Sequence, residues 1–557
     1  MKMAASDTDC LKNLKSLRQK VNWGLETDRR DLLRRLDTLI SDWQGQLPNL
    51  REFYTDYEIE TLLCDAVDLS AEETEGVGGP GSRFVAFVIK TGYRDEPELD
   101  ETGQTVLPRT TAIHRAYSVK NFSILPALFE IYDNFREVVY NKRVLTHFHV
   151  ACIAGLDEVV QKFFDVGRGP NSIWPKRGDS PLHLTVDGLH RRTAELLLRH
   201  RAAHPNYPNG DGSLVLHLVA KKGDSDEALD YARMFFEINE EMNREVVVDA
   251  RDRLGRSPLN LALELGHGRL AELLLRRGAD PNYPNKDGAT PLHVISARQS
   301  DDADELAKRF FEVCEDVNRP VRIDARDGSG LTPLEVAVAN FVPAMIDALL
   351  DKGADLSSFV FPTYHYSAEA FEAAHRKRID VKTRLLTRVL GCVERLEARG
   401  HRLEPRDALT ILKLLRAYKL LHDSNELPGT WRTDEQFLSL VERCAFKPGT
   451  SFRDLILLRL DEASKRFNRV TDFLPLLNSD EFSSLPGTTR DRCLNYLSEI
   501  MTRGFLRRWS PIIFQDLARY ELPTLCCRKV VAMLSVGDLR KVCLAAEIVA
   551  NEESQST

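Results

Sequence analysis

Several absences narrow the field before any motif is sought. Ten cysteines lie scattered between Cys10 and Cys543 without one CxxC pair. Neither a zinc framework nor a disulfide scaffold is indicated, and reduced thiols fit best. A basic excess is also missing: 76 Lys and Arg face 84 Asp and Glu, a formal charge of -8. This argues against nucleic acid or an anionic membrane as partner. The basic cluster His375-Arg376-Lys377-Arg378 reads as a solvated helix face rather than an import signal. Long apolar runs are missing near the start, where the longest, 84–89, is far too short to span a bilayer. Residues 1–15 lack the apolar stretch of a signal peptide. The expectation is a protein that is not secreted, placed in the cytoplasm, the nucleus or both. The acceptor triplet Asn121-Phe122-Ser123 then reads as chance.

Catalytic signatures are missing too. No nucleophile motif or metal-ligand spacing is found, so the expectation is a non-enzyme without cofactor or metal. Gly76-Val77-Gly78-Gly79-Pro80-Gly81 has the letters of a dinucleotide loop. No strand pattern precedes it, and Pro80 with the preceding glutamates suits a linker. His147 and His149 suggest a metal pair, but both fall inside a repeated box that explains His149 structurally.

What is present is repetition, in a chain of 557 residues that is too long for one core. The four-residue box Ser180-Pro181-Leu182-His183 recurs as Ser257-Pro258-Leu259-Asn260, Thr290-Pro291-Leu292-His293 and Thr332-Pro333-Leu334-Glu335. Weaker copies are Thr111-Ala112-Ile113-His114, Thr146-His147-Phe148-His149 and Leu214-Val215-Leu216-His217. Successive boxes are 33–35 residues apart, except for two spacings of 42–43. Ser or Thr suits a helix N-cap, and Pro at the first helical position loses no needed donor. The Leu is expected in the core, and the His to tie its helix start to the neighbouring turn. A second helix such as 271–275 is stopped by Gly278, and Ala279-Asp280-Pro281-Asn282 turns the chain toward the next box. Leu214 in place of Ser or Thr predicts a weakly capped helix.

The spacing shows a higher duplication. Phe235-Phe236-Glu237 mirrors Phe310-Phe311-Glu312, and Asp249-Ala250-Arg251-Asp252 mirrors Asp324-Ala325-Arg326-Asp327. The extra residues of the long repeats are expected after a longer second helix, at 225–242 and 301–317. The array is expected to close at Phe359-Val360-Phe361-Pro362. Residues 84–92 read as the second helix of a degenerate cap, with 93–108 a long acidic connection.

The box and its period resemble the ankyrin repeat. That resemblance implies an all-α solenoid of helix-turn-helix repeats with β-hairpin loops, followed here by a helical C-terminal domain. The flanks are helical by pattern: Leu32, Leu33, Leu36, Leu39 and Ile40 before the array, Leu385, Val389, Val393 and Leu396 after it. Pro405 opens a helix carrying Leu409, Leu412 and Leu415, and Ser451-Phe452-Arg453-Asp454 reads as a capping box.

Near the C-terminus, Leu522-Pro523 opens a helix with Cys526, Val530 and Leu534, and Asp538-Leu539 begins another. Leu-Pro, Val530, Leu534 and Asp538-Leu539 resemble the F-box in residue type and offset. The third F-box helix has no counterpart, which resembles the truncated F-box-like end called PRANC, found in poxvirus and insect ankyrin proteins. Arg94-Asp95-Glu96-Pro97, Thr146 to Cys152, Leu356 to Pro362 and Gly504-Phe505-Leu506-Arg507-Arg508-Trp509 look like segments of the insect ankyrin–PRANC family.

The expected layout is a helical region over 1–70, a linker and degenerate cap over 71–108, about seven repeats over 109–360, a helical linker domain over 361–450, the PRANC-like domain over 451–550, and a disordered tail over 551–557. The resemblance implies a substrate-recruiting adaptor that docks a Skp-type subunit of a cullin ubiquitin ligase through Leu522, Pro523, Val530, Leu534, Asp538 and Leu539. The target protein is expected on hairpin tips and the concave face. Candidates there are Trp174, Lys176, Tyr207, Asp211, Arg251, Tyr283, Lys286, Asp287 and Arg326. The alternative is a passive scaffold or inhibitor that sequesters a signalling partner without recruiting a ligase.

Overall fold

A computed structural model describes residues 7–41, 43, 46–72, 78–96, 108–136, 138–300, 302–362, 379–417, 433–447, 450–518, 523–534, 538, 541–542 and 545–546. The chain forms two compact units, Met1–Asp280 and Pro281–Thr557.

The first unit opens with α1 (Asp7–Gln19), α2 (Glu26–Ser41), α3 (Asp56–Glu72) and α4 (Pro80–Lys90). Leu32, Leu33 and Leu36 are buried, as are Leu62, Leu63, Ala66 and Val67 of α3. The glycine-rich stretch expected as a linker ends in the first turn of α4. A Cβ on Gly81 would lie 2.2 Å from the Ala66 carbonyl oxygen, so this glycine permits close helix packing, and the helix before it is α3 rather than a strand. α3 carries a row of carboxylates, each met by an arginine: Glu58 by Arg18 at 3.0 Å, Asp65 by Arg29 at 2.6 Å, Asp68 by Arg115 at 2.6 Å. Glu60 accepts from Arg109 at 2.7 Å, the Tyr132 hydroxyl at 2.7 Å and the Ala112 amide at 2.8 Å. These bonds fasten the N-terminal helices to the first repeat.

Each box then starts a helix pair. In the first unit these are α5/α6 (Ala112–Ser118, Leu125–Ile131), α7/α8 (His147–Ala154, Asp157–Asp165), α9/α10 (Pro181–Thr185, Arg191–Arg199), α11/α12 (Val215–Lys222, Asp226–Glu241) and α13/α14 (Pro258–Leu265, Gly268–Arg276). In the second unit they are α15/α16 (Pro291–Ser296, Ala303–Asp316) and α17/α18 (Pro333–Ala339, Pro343–Asp351). The box leucines are buried throughout. Most of the added length of the long repeats lies within the second helix rather than after it: α12 has 16 residues and α16 has 14, against 9 in α10 and α14. Buried Phe235 and Phe236, and Phe310 and Phe311, supply apolar surface that holds the longer helices.

The box histidines are buried and bridge consecutive repeats. In His114, His149, His183, His217 and His293, Nδ1 accepts the N-cap backbone N–H at 3.0–3.3 Å. The other nitrogen, Nε2, donates to a carbonyl of the following turn: Leu145, Ser172, Ser213, Arg256 or Leu331, at 2.7–3.0 Å. This pattern requires the neutral ring with its proton on Nε2. Burial holds all five pKa values below the ordinary 6.5, with His114 at about 4.

The exceptions follow the same geometry. Leu214 has no capping side chain, as expected, yet its N–H still reaches His217. Glu335 replaces the ring with two acceptors, taking the Thr332 N–H at 2.7 Å and the Val360 N–H at 3.0 Å. A carboxylate cannot donate, so it selects an amide where the imidazole selects a carbonyl, and it anchors the closing segment. Asn260 is buried, and neither of its amide atoms finds a partner.

The hairpin loops are less sheet-like than expected. Among the described residues of the array they form two isolated bridges, Tyr140 to Thr146 and Trp174 to Asp179. Their rigidity comes from Asx turns. The side-chain oxygens of Asn141, Asn209, Asn285 and Asp327 each accept two loop amides at 2.9–3.2 Å. Three residues on, the chain turns left-handed at Gly212, Gly288 and Gly330, but in the first hairpin that place is taken by Val144 at φ 57°.

In the second unit, Ile379–Ala398 packs on α18, with Arg395 on Asp347 at 2.6 Å. Leu385, Val389, Val393 and Leu396 are buried, as are Leu409, Leu412 and Leu415 of Pro405–Ala417. A small antiparallel pair, Ala445–Lys447 with Thr450–Ser451, was not foreseen. The expected capping box forms: Ser451 N–H reaches Asp454 at 2.9 Å and Asp454 N–H reaches Ser451 at 3.1 Å. Gly487–Leu517 is a long helix, and Thr524–Met533 lies against it through Cys527 and Val531. The cluster 375–378 and the tail 551–557 lie outside the described residues. Among the described residues no helix is long and apolar enough to cross a membrane.

Two outcomes follow. A β-branched residue in the left-handed region costs ~1–2 kcal/mol, so Val144→Gly should raise stability by about 1 kcal/mol in thermal or urea unfolding. The histidines make stability depend on pH. Their folded pKa values are depressed, so their contribution is present above pH 6.5 and is lost as pH falls from there toward the folded values. Each should add a slope of up to about 1.4 kcal/mol per pH unit across that window, and His293→Gln should flatten the profile.

Candidate functional site

Successive hairpins of the first unit are stitched together by hydrogen bonds to backbone carbonyls. Trp174 Nε1–H donates to the Arg143 carbonyl at 3.0 Å, Gly210 N–H to Arg177 at 2.8 Å, and Arg253 N–H to Asp211 at 2.9 Å. Gly210 is needed for this approach, since a Cβ there would sit 2.4 Å from the Arg177 oxygen. The result is a continuous edge on which the residues just after each Asx position are held outward. The second unit repeats the device with Gly328 N–H on Asp287 at 2.8 Å.

The expected surface residues divide. Lys176, Asp211, Arg251, Lys286, Asp287 and Arg326 are exposed, while Tyr207 and Tyr283 are half-buried. Arg326 turns back on its own loop, donating to the Gly330 carbonyl at 2.6 Å. Trp174 is a correction: it is 4% exposed and occupies the Asx place of its hairpin. Its ring packs edge-on against Tyr117, so it builds the edge instead of meeting a partner. Lys142, Arg143, Val144, Ile173, Arg177, Arg253 and Leu254 are exposed on the same edge and were not singled out from sequence. Their offset from the Asx residue was a usable signal.

At the C-terminal end, Pro523 is the exposed N-cap of Thr524–Met533, and Leu522 and Leu539 lie outside the described residues. Val530 is 40% exposed and Leu525 65%, both away from the buried Cys527 and Val531. Leu534 and Asp538 are half-buried, and Asp538 pairs with Lys541 at 3.7 Å.

Two ligand readings fail on the same inspection. His147 Nε2 meets the Thr111 hydroxyl at 2.8 Å while His149 Nε2 meets the Ser172 carbonyl at 2.7 Å, so the pair shares no metal position. Glu26, Asp65 and Asp68 come together, but Arg30, Arg29 and Arg115 already engage their oxygens.

Residues 259–359 match the family described as ankyrin repeats in 3 copies. The nuclear factor NF-kappa-B p105 subunit of Gallus gallus is 28% identical over 255 residues, 43% of this chain and 24% of that protein. The transient receptor potential cation channel subfamily A member 1 of Homo sapiens is 28% identical over 179 residues, 32% of this chain and 15% of that protein. The chain therefore spans a quarter or less of these two relatives. Among solved structures, the ankyrin repeat domain of Bcl-3, described as a unique member of the IkappaB protein family, is 25% identical and wholly covered, over 44% of this chain, with a TM-score of 0.34.

Because Trp174 is core and Lys176 is not, their substitutions should separate. Trp174→Ala should cost roughly 3 kcal/mol in chemical unfolding, and Lys176→Ala less than about 0.5 kcal/mol. Equal losses would refute the assignment of Trp174 to the edge's framework.

Proposed function

We propose that this chain, an ankyrin-repeat protein by its boxes and its matched segment, is a non-enzymatic adaptor that holds a protein target on its repeats and a Skp-type subunit of a cullin ubiquitin ligase on its C-terminal end. The repeats support target binding because their hairpins form a rigid exposed edge, so little ordering is needed on association. Ligase docking is supported by the helix Thr524–Met533. Among the described residues Cys527 and Val531 on one face are buried, and Leu525 and Val530 on the other are exposed. Residues serving merely as bundle core would be covered. The contribution to ubiquitin transfer is tethering, which raises the local concentration of target lysines.

Sequestration of a partner without ligase recruitment is the second reading, and it needs the repeats alone. The two separate in a capture experiment with purified full-length chain, Skp-type subunit and cullin. Wild type should retain the ligase subunits, and Val530→Asp should weaken capture by at least about tenfold, as loss of an apolar anchor does. Val530 is exposed, so the substitution leaves the fold intact. No capture by wild type would sink the adaptor reading and leave sequestration.

A further inference from the structure

The hairpin edge of the first unit is charged against the sign of the whole chain. Lys142, Arg143, Lys176, Arg177 and Arg253 are all exposed along it, and Asp211 is the one exposed acid between them. Among the described residues none of these five side chains enters a hydrogen bond or ion pair, whereas arginines elsewhere on this unit do. Arg199 holds Glu195 at 2.9 Å, Arg269 holds Asp226 at 2.7 Å and Arg277 holds Glu240 at 3.0 Å. The compensating acids are sorted to α12, where Glu227, Asp230 and Glu237 are exposed. Cations on hairpins bonded side by side repel one another and focus an attractive field for an anion.

Apolar side chains are set among these cations. Val144 is 41% exposed, Ile173 37% and Leu254 54%. Beside the first two hairpins lies a hollow of about 280 Å³, lined by Val138, Phe148, Phe163 and Arg168. Val144 adds a separate observation. It holds a strained left-handed backbone, φ 57°, at the place where the other Asx hairpins use glycine. A glycine there relieves the strain but removes the exposed isopropyl group. Strain kept at an exposed position points to a contact outside the fold.

We infer that this edge binds an extended segment of a partner protein in which acidic residues alternate with aliphatic ones, the carboxylates on the five cations and the aliphatic groups on Val144, Ile173, Leu254 and the adjoining hollow. This deepens the target-binding half of the proposed function and rests on it. Nucleic acid is disfavoured, because Trp174 is buried within the row and offers no face for base stacking.

The test is fluorescence anisotropy of the full-length chain with a labelled peptide of repeated Glu-Leu. The expected result is saturable binding that weakens as salt rises, with a repeated Lys-Leu peptide failing to bind. Reversal of four charges (K142E, R143E, K176E, R177E) should weaken binding at least about tenfold, while reversal of Glu237 on α12 leaves it unchanged. Val144→Gly should weaken binding about threefold although it raises the melting temperature, a pairing that a purely structural residue does not give. The inference is overturned if wild type does not bind the peptide, if charge reversal leaves affinity unchanged, or if oligothymidine displaces the peptide at equal concentration. Failure here leaves capture of the Skp-type subunit untouched, and failure of that capture leaves this edge intact, so the two readings fail separately.

Discussion

A neutral imidazole that accepts at Nδ1 and donates at Nε2 joins one repeat to the next, and the array depends on that joint. Each ring closes its own helix start and reaches the following turn, so one side chain serves two elements that cannot bury their apolar faces alone. Its burial makes any change of charge costly, since protonation at Nδ1 would set a donor against the N-cap N–H. Where the joint varies, its neighbourhood varies with it. Glu335 inverts the polarity at the end of the array and captures Val360, and Asn260 leaves two buried amide atoms without partners.

The joint also determines what the hairpins can present. In the first unit the hairpins at 141–145, 209–213 and 252–256 each have a base carbonyl tied to the preceding histidine, and each is bonded to a neighbouring hairpin at its tip. The side chains just after the Asx position are thus held outward without internal partners. Rigidity and availability have a common origin here, and the unpaired cations of the first unit are a consequence of that arrangement together with the placement of acids on α12.

The N-terminal helices close the array by a different chemistry. Glu60 takes the amide of Ala112, at the first helical position where the Pro-containing boxes offer no N–H, and Arg109 neutralises it. A half-buried carboxylate is tolerable there because three donors surround it. In the second unit, Phe359 stacks edge-on at 5.0 Å from His401, so an aromatic contact covers what another repeat would otherwise cover.

The helix pairs, their caps and the buried leucines were legible in the residues, because a Thr-Pro-Leu-His box encodes its geometry locally: a cap, a fixed φ and an apolar position one turn apart. The glycine stops were legible for the same reason. The partners were not. Nothing local to Trp174 says that its indole bonds to Arg143, or that a surface-looking tip residue fills an Asx place and is buried. Gly81 looked like linker until α3 lay against it, and Arg143, Arg177 and Arg253 became a row only when the hairpins stood side by side. Sequence by itself determined which short elements form, since capping and periodicity act over a few residues. The tertiary structure alone decided which side chains are left over, because burial and pairing depend on neighbours about one repeat away in the chain.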